Sequence, residues 1–200
     1  MSTELTVLMV SSELFNKITS LLEVRRTSLA ATPPVFVIID GPAGAGKTTL
    51  SSQLASHFGF GEIIHCDDLY NGWEDALTPT LERTIREWIL EPIKECRPIQ
   101  MRKFDWQRNS YGTEIILPES ELVILEGVGC AMKGVAESAD LAIWIDIPFD
   151  LGLERVLARD GIKIKEEMLR WITQQAEFFL LNGNRENCSL HLPYGAPATA

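Results

Sequence analysis

Residues 35–48 constrain this chain more than any others. They read VFVIIDGPAGAGKT: a continuous, largely β-branched apolar run, an acid, and then Gly41-Pro42-Ala43-Gly44-Ala45-Gly46-Lys47-Thr48. Unbroken apolar character is expected of a strand buried on both faces. Residues 50–58 (LSSQLASHF) follow with Leu50, Leu54 and Phe58 on one helical stripe,. The loop between strand and helix matches G-x-x-x-x-G-K-[ST], a phosphate-binding P-loop in its proper context. Gly41, Gly44 and Gly46 let amides turn inward without a Cβ in the way, and the helix N-terminus adds its own donors to the cradle. Lys47 supplies a point charge for β- and γ-phosphates, and the hydroxyl of Thr48, next to Thr49, suits Mg²⁺.

The rest of the chain alternates strands and helices. Helices are predicted over residues 12–29, 50–58, 80–90, 150–159 and 165–181. Strands are predicted over 35–39, 62–65, 122–125, 141–145 and 189–192. Residues 99–104 and 113–117 fit either a strand pair or a loop,. Such alternation implies βαβ units, hence an α/β, three-layer fold: a five-stranded parallel sheet with helices on both faces. The expected organisation is a single domain over residues 1–200, with 1–31 as an N-terminal helical extension and 193–200 as a flexible tail.

Charge and cysteine usage narrow the function classes. A net charge of −10 argues against nucleic acid or an anionic membrane as the main partner,. The N-terminus carries acids and no basic leader, and no apolar run approaches a membrane span, so the expected location is cytoplasmic. Cys66, Cys96, Cys130 and Cys188 stand singly, without a C-x-x-C, which predicts reduced thiols and no zinc site,. A homodimer is compatible with the sequence but not specified by it.

Further along, HCDDLY (65–70), FDW (104–106), VILEGVG (123–129) and DLAIWIDIP with ERVLARD (140–160) accompany the P-loop. Together these segments resemble the P-loop kinases of nucleosides and nucleotides, and are most similar to uridine kinases and their relatives. The likeness runs over about residues 35–160. It implies use of ATP and Mg²⁺, and an arginine-bearing lid that closes over the phosphates. It also implies an aspartate near the nucleoside hydroxyl, at Asp67 or Asp68, and nucleoside contacts from Phe104, Asp105 and Trp106.

The residues themselves support these roles. Asp67 and Asp68 sit just past the end of the second strand, where ligands of open α/β sheets bind. Phosphoryl transfer to an alcohol asks one carboxylate to accept or orient the hydroxyl proton and another to hold metal-bound water. Asp67 is expected as the former and Asp68 as the latter, with the choice between them open; an Asp pair capping a turn is the competing reading. Glu126, ending the run LVIL and preceding Gly127, suits a Walker-B role at Mg²⁺. Asp40 reads as a holder of the loop or of a water. Arg155 and Arg159 lie i, i+4 on one helix face, a repulsive pair unless an anion sits between them. They suit a transferring phosphoryl group, or else pair with Glu154 and Asp160. Only residues 161–165 (GIKIK) separate this helix from the next, so the lid is short for the family. Arg108 is a candidate for a substrate contact. Tyr70, Phe104, Trp106 and above all Trp73, in a polar loop, are candidates to stack on a base. Trp171, Phe178 and Phe179 read as packing, and residues 82–87 as a salt-bridged helix face. No chemistry is expected of His57 or His65.

The expectation is therefore ATP- and Mg²⁺-dependent phosphoryl transfer to a small-molecule acceptor, a nucleoside or nucleoside monophosphate. The alternatives are a kinase of another small alcohol of shikimate or gluconate type, and an ATP-binding regulator with little transfer.

Overall fold

The computed structural model describes residues 12–28 and 32–194. In chain order the elements are α1 (Ser12–Arg26), β1 (Val35–Asp40), α2 (Lys47–Phe58), β2 (Glu62–His65), α3 (Pro79–Ile85), α4 (Glu91–Lys94), β3 (Gln100–Asp105), β4 (Ser110–Ile116), β5 (Leu122–Glu126), α5 (Lys133–Ala136), β6 (Leu141–Ile145), α6 (Phe149–Asp160), α7 (Lys165–Asn182), α8 (Asn184–Asn187) and β7 (Leu190–Leu192). Strands β2-β5-β1-β6-β7 pair in that order, all parallel, while β3 and β4 form a separate antiparallel hairpin.

The apolar strands divide their side chains between two cores. Val35, Val37 and Ile39 of β1 join Leu122 and Ile124 of β5 and meet Leu14, Ile18 and Leu22 of α1 and Leu50 and Leu54 of α2. Phe36 and Ile38, with Val123 and Leu125, face the other way onto Leu81 and Ile85 of α3, Ile93 of α4 and Met168, Trp171 and Ile172 of α7. The period of two within an unbroken apolar run thus produces the three layers.

Several boundaries differ from the sequence reading. Helix α1 packs on one core through the buried Leu14, Ile18 and Leu22; residues 1–11 and 29–31 lie outside the described residues. Helix α2 starts at Lys47, inside the motif. The helix expected over 80–90 runs on toward Lys94, with a π turn at Arg86–Leu90 where the Glu91 amide reaches back to the Arg86 carbonyl. Pro92 explains the widening: it has no N–H for the carbonyl four residues earlier. Residues 99–117 are a hairpin, and its register shifts between Arg102 and Phe104. Of the expected tail, Pro193 and Tyr194 are described and 195–200 lie outside the described residues.

What matters for the site is one sheet edge. Ile39 of β1 and His65 of β2 both register with Glu126 of β5, so three strands end side by side. The P-loop follows β1, and a tight turn at Cys66–Asp68 follows β2. The carboxyl edge of a parallel sheet, where the loops diverge, is where such folds bind ligands.

Candidate active site

The P-loop is held by close backbone contact. A Cβ at Gly41 would run into the Ile145 carbonyl oxygen, and one at Gly44 into the Gly152 carbonyl oxygen of α6. Both glycines have positive φ, 146° and 79°, so any side chain there meets both a clash and backbone strain. Lys47, largely buried, donates from Nζ to the Gly41 and Pro42 carbonyls at 2.9 Å each. Its charge is parked on the loop it belongs to. The Ala43 amide donates to Gln175 Oε1 of α7 at 3.1 Å.

Beneath the loop, Asp40 is fully buried and accepts four hydrogen bonds. Its Oδ1 takes the Gly41 amide (2.6 Å) and the Gly129 amide (2.9 Å). Its Oδ2 takes the Ala131 amide (2.8 Å) and Asn184 Nδ2 (2.9 Å). Burial pushes this carboxyl above its ordinary pKa, while the donors and the Lys47 charge pull back. Asp40 thereby ties the P-loop to the segment after β5 and to α8.

Glu126, at the end of β5, is also buried. Its Oε1 accepts from the Thr48 hydroxyl at 2.9 Å and meets His65 Nδ1 at 2.6 Å. Burial opposes its charge, but His65, Lys47 and Thr48 outweigh burial and hold its pKa below the ordinary value. The same bond to Glu126 raises His65 above its ordinary pKa, with burial opposing. His65 is the residue that sequence reasoning missed. It opens the segment HCDDLY, where the sequence reading gives it no role; the signal was its place at the end of a strand destined to lie beside the strand of Glu126. Thr48 and Glu126 present hard oxygen atoms suited to a divalent cation. Among the described residues no group of three or more His, Cys, Asp or Glu is arranged to hold an ion, so a cation here would complete its shell from phosphate and water.

The adjacent acids diverge. The Asp67 side chain lies open to the cleft but is walled by protein, which raises its pKa; Glu126 adds to the rise, while Lys47 and Arg159 oppose it. Asp68 instead pairs with Lys103 of the hairpin at 2.9 Å. The structure therefore pairs Thr48 with Glu126, sets Asp67 on the turn after β2 where the charges of Glu126 and Lys47 act on it, and leaves Asp68, expected at the metal, on a different partner. Arg155 reaches the Gly44 carbonyl (3.3 Å) and the Tyr194 hydroxyl (3.4 Å), with its guanidinium 5.0 Å from the Tyr194 ring centroid. Arg159 makes a bidentate pair with Asp160 at 2.7 and 2.6 Å. Asp160 raises its pKa most, and Asp67 and Glu126 add to the rise across the cleft.

The hairpin forms the far wall. Trp106 Nε1 donates to the Asp67 carbonyl at 3.0 Å, and the Tyr111 hydroxyl donates to the Leu69 carbonyl at 2.7 Å. Asp105 accepts the Gln107 and Arg108 amides at 3.0 Å each, shaping the hairpin tip, and faces Arg108 at 3.5 Å. Trp73 and Trp106 are 44 % and 39 % exposed with ring centroids 5.3 Å apart, and Trp171 of α7 lies 5.5 Å from Trp73. Two expectations are corrected here. Tyr70 is packed in the core with its hydroxyl donating to the Val128 carbonyl at 2.8 Å, and Phe104 is buried against Trp106 and Tyr111. Neither ring is exposed, whereas Trp73 and Trp106 are.

A family model described as an AAA domain matches residues 37–177. The chain belongs to that family. Its match spans the P-loop, the Asp67 turn, Glu126 and both arginines of α6. Among curated proteins, a cytidylate kinase from Pyrococcus furiosus is 28 % identical over 137 residues, covering 68 % of this chain and 63 % of that kinase. A uridine kinase from Ureaplasma urealyticum is 28 % identical over 151 residues, covering 65 % of this chain and 70 % of that kinase. The match thus spans less than two thirds of the length of the Pyrococcus kinase. Of solved structures, a possible uridine kinase from Bacillus stearothermophilus matches with a TM-score of 0.55 at 15 % identity, over 90 % of this chain and 99 % of that one. A D-glycerate 3-kinase from Cryptococcus neoformans matches with a TM-score of 0.60 at 14 % identity, over 86 % and 88 %. At such identities the likeness is one of fold, and the fold is that of this P-loop family.

Proposed function

We propose that this protein is an ATP- and Mg²⁺-dependent kinase that transfers a phosphoryl group to the hydroxyl of a small molecule carrying a flat ring, a nucleoside before a nucleoside monophosphate. The observation that carries the reading is the convergence of Lys47, the Thr48–Glu126 pair and Asp67 on one sheet edge. Mg²⁺, when bound, offsets charge on the β- and γ-phosphates. The chain's own residues do the rest. Lys47 exchanges its two loop carbonyls for phosphate oxygens. Asp67, with its raised pKa, orients the acceptor hydroxyl and takes its proton as the new bond forms. Arg155 and Arg159 meet charge that grows on the transferring group.

The far wall supports this choice of acceptor class. Trp73 and Trp106 supply exposed aromatic faces beside Asp67. Two cations of the hairpin are already balanced, Lys103 by Asp68 and Arg108 by Asp105. The aromatic faces, not the charge of the wall, carry the preference for a nucleoside, because the hairpin's third cation, Arg102, is exposed and has no ion-pair partner among the described residues. A second reading, an ATP-binding regulator with little transfer, draws on the short lid and on the Arg159–Asp160 pair. An ADP-release assay with Mg·ATP, run against nucleosides, nucleoside monophosphates and sugar acids, separates these. Turnover is expected with a nucleoside. Tight Mg·ATP binding without turnover on any acceptor supports the regulator, and absence of Mg·ATP binding refutes both.

A further inference from the structure

Helix α7 presents a buried stripe of Met168, Trp171, Ile172, Gln175 and Phe178 to the rest of the molecule. Gln175 alone in that stripe is polar, and it is more than nine-tenths buried. A buried amide is costly beside an apolar side chain of the same size, and one hydrogen bond offsets only part of that. Packing alone does not account for glutamine here; its partner does. Gln175 Oε1 accepts the amide of Ala43. That N–H belongs to the same peptide plane as the Pro42 carbonyl, which accepts both Lys47 Nζ at 2.9 Å and the Ala45 amide at 3.1 Å.

We infer that Gln175 is a positioning residue for the donor nucleotide: by fixing the Pro42–Ala43 peptide plane it sets where the P-loop holds Lys47. This rests on the P-loop binding a nucleotide, as proposed above. The peptide unit is rigid and planar, so holding its N–H from outside the loop aims its carbonyl inward. Pro42 has no N–H of its own with which the loop could anchor that limb. The Gly44 carbonyl, one residue further, accepts from Arg155 of α6. Trp171, one turn earlier on the same stripe of α7, packs on Trp73 and Tyr70. A single helix face therefore touches both the P-loop and the aromatic wall.

The test uses the full chain with Gln175→Met, which keeps length and removes the acceptor. Gln175→Glu keeps an acceptor oxygen, and Gln174→Met on the exposed neighbour serves as control. Mg·ATP affinity is measured by calorimetry, and hydrogen exchange of the peptide covering residues 41–48 is measured in the ligand-free protein. Gln175→Met is expected to weaken Mg·ATP by about 10- to 100-fold, the scale on which loss of an orienting partner acts. It is also expected to speed exchange in the P-loop while the melting temperature stays near the parent's. Gln175→Glu is expected to keep parental loop exchange, whatever its added charge does to affinity. The inference is overturned if Gln175→Met is folded and binds Mg·ATP within twofold of the parent. It is equally overturned if Gln175→Glu loses loop protection; this second criterion holds even if the methionine variant does not fold. A parent that binds Mg·ATP but transfers nothing sinks only the kinase reading, whereas a parent that binds no nucleotide sinks both.

Discussion

Asp40→Asn is the sharpest perturbation of the scaffold. Asparagine has nearly the same shape, so the change isolates chemistry from packing. The wild-type carboxylate accepts two donors on each oxygen: the Gly41 and Gly129 amides on one, the Ala131 amide and Asn184 Nδ2 on the other. Asparagine keeps one acceptor oxygen and turns an NH₂ group toward the remaining two donors. Two hydrogen bonds to a charged group are lost, at about 1.5 kcal/mol each by the lower bound for such bonds. Release from the cost of burying a charge, the cause that raises this pKa, is offset by the donor–donor contact that replaces the bonds. The net expectation is a destabilisation of about 3 kcal/mol, within the range for breaking one partner of a buried ionic network. For a chain of this size that lowers the melting temperature by about 6–12 °C. Urea denaturation at neutral pH measures the free energy directly, and a thermal scan measures the shift. A variant that melts within about 2 °C of the parent would show that the four donors are satisfied some other way, and that Asp40 does not tie the P-loop to α8.

Lys47→Ala is expected to weaken Mg·ATP by about 10- to 100-fold, the worth of one or two charge-assisted hydrogen bonds, and to lower the melting temperature of a still-folded protein, because Lys47 also offsets the buried charges of Glu126 and Asp40; unchanged calorimetric affinity would remove the P-loop assignment. Asp67→Asn should cut turnover far more than ATP affinity, while Asp68→Asn, which frees Lys103, should cut it far less; equal losses would contradict the division of labour between them. Arg159→Ala is expected to cost about 10²-fold in turnover, on the scale of one donor to developing charge, and less than about 1 kcal/mol of stability; turnover at the parental rate would leave Arg159 as a surface partner of Asp160. Asp146 is held below its ordinary pKa by Arg185, with Trp144 also donating to it. A depressed carboxyl contributes stability above its unfolded pKa and loses it as pH falls through the folded value. Acid titration of stability should therefore be shallower below about pH 4 in Asp146→Asn than in the parent; identical acid limbs would argue that this pair is idle.

Parts of this were legible in the sequence because they are local. The strand–loop–helix of the P-loop, the unbroken apolar strands and the acids at strand ends each announce themselves over a few residues. The four partners of Asp40 come from three separate segments, and His65 meets Glu126 only through the register of β2 with β5; neither is written in any short window. The aromatic residues went astray for a different reason. Loop aromatics carry no periodicity, and the register shift between Arg102 and Phe104 breaks the alternation that would have assigned faces in the hairpin,. Phe104 turns inward in consequence, and the exposed faces fall to Trp73 and Trp106.

On the proposed kinase reading, the short segment after α6 bears on how the phosphates are met. Helix α6 ends at Asp160, a single turn at Ile162–Ile164 follows, and α7 begins at Lys165. So few linking residues span too little chain to form a separate flap. The base of α6 is fixed as well, because Gly152 lies against Gly44 of the P-loop. On the same reading, Arg155 and Arg159 of α6 join Lys47 at the phosphates without a separate lid domain. Arg159 already stands within the field of Asp67 and Glu126 while bound to Asp160. Its bidentate grip on an exposed carboxylate has the geometry a phosphate would offer, and a transferring phosphoryl group carries more charge than that carboxylate. Exchange of Asp160 for phosphate thus requires a side-chain movement, not a domain movement. On this view the Arg159–Asp160 pair is a resting position of the guanidinium, and its signature is a loss in turnover with unchanged ligand-free stability when Arg159 is removed.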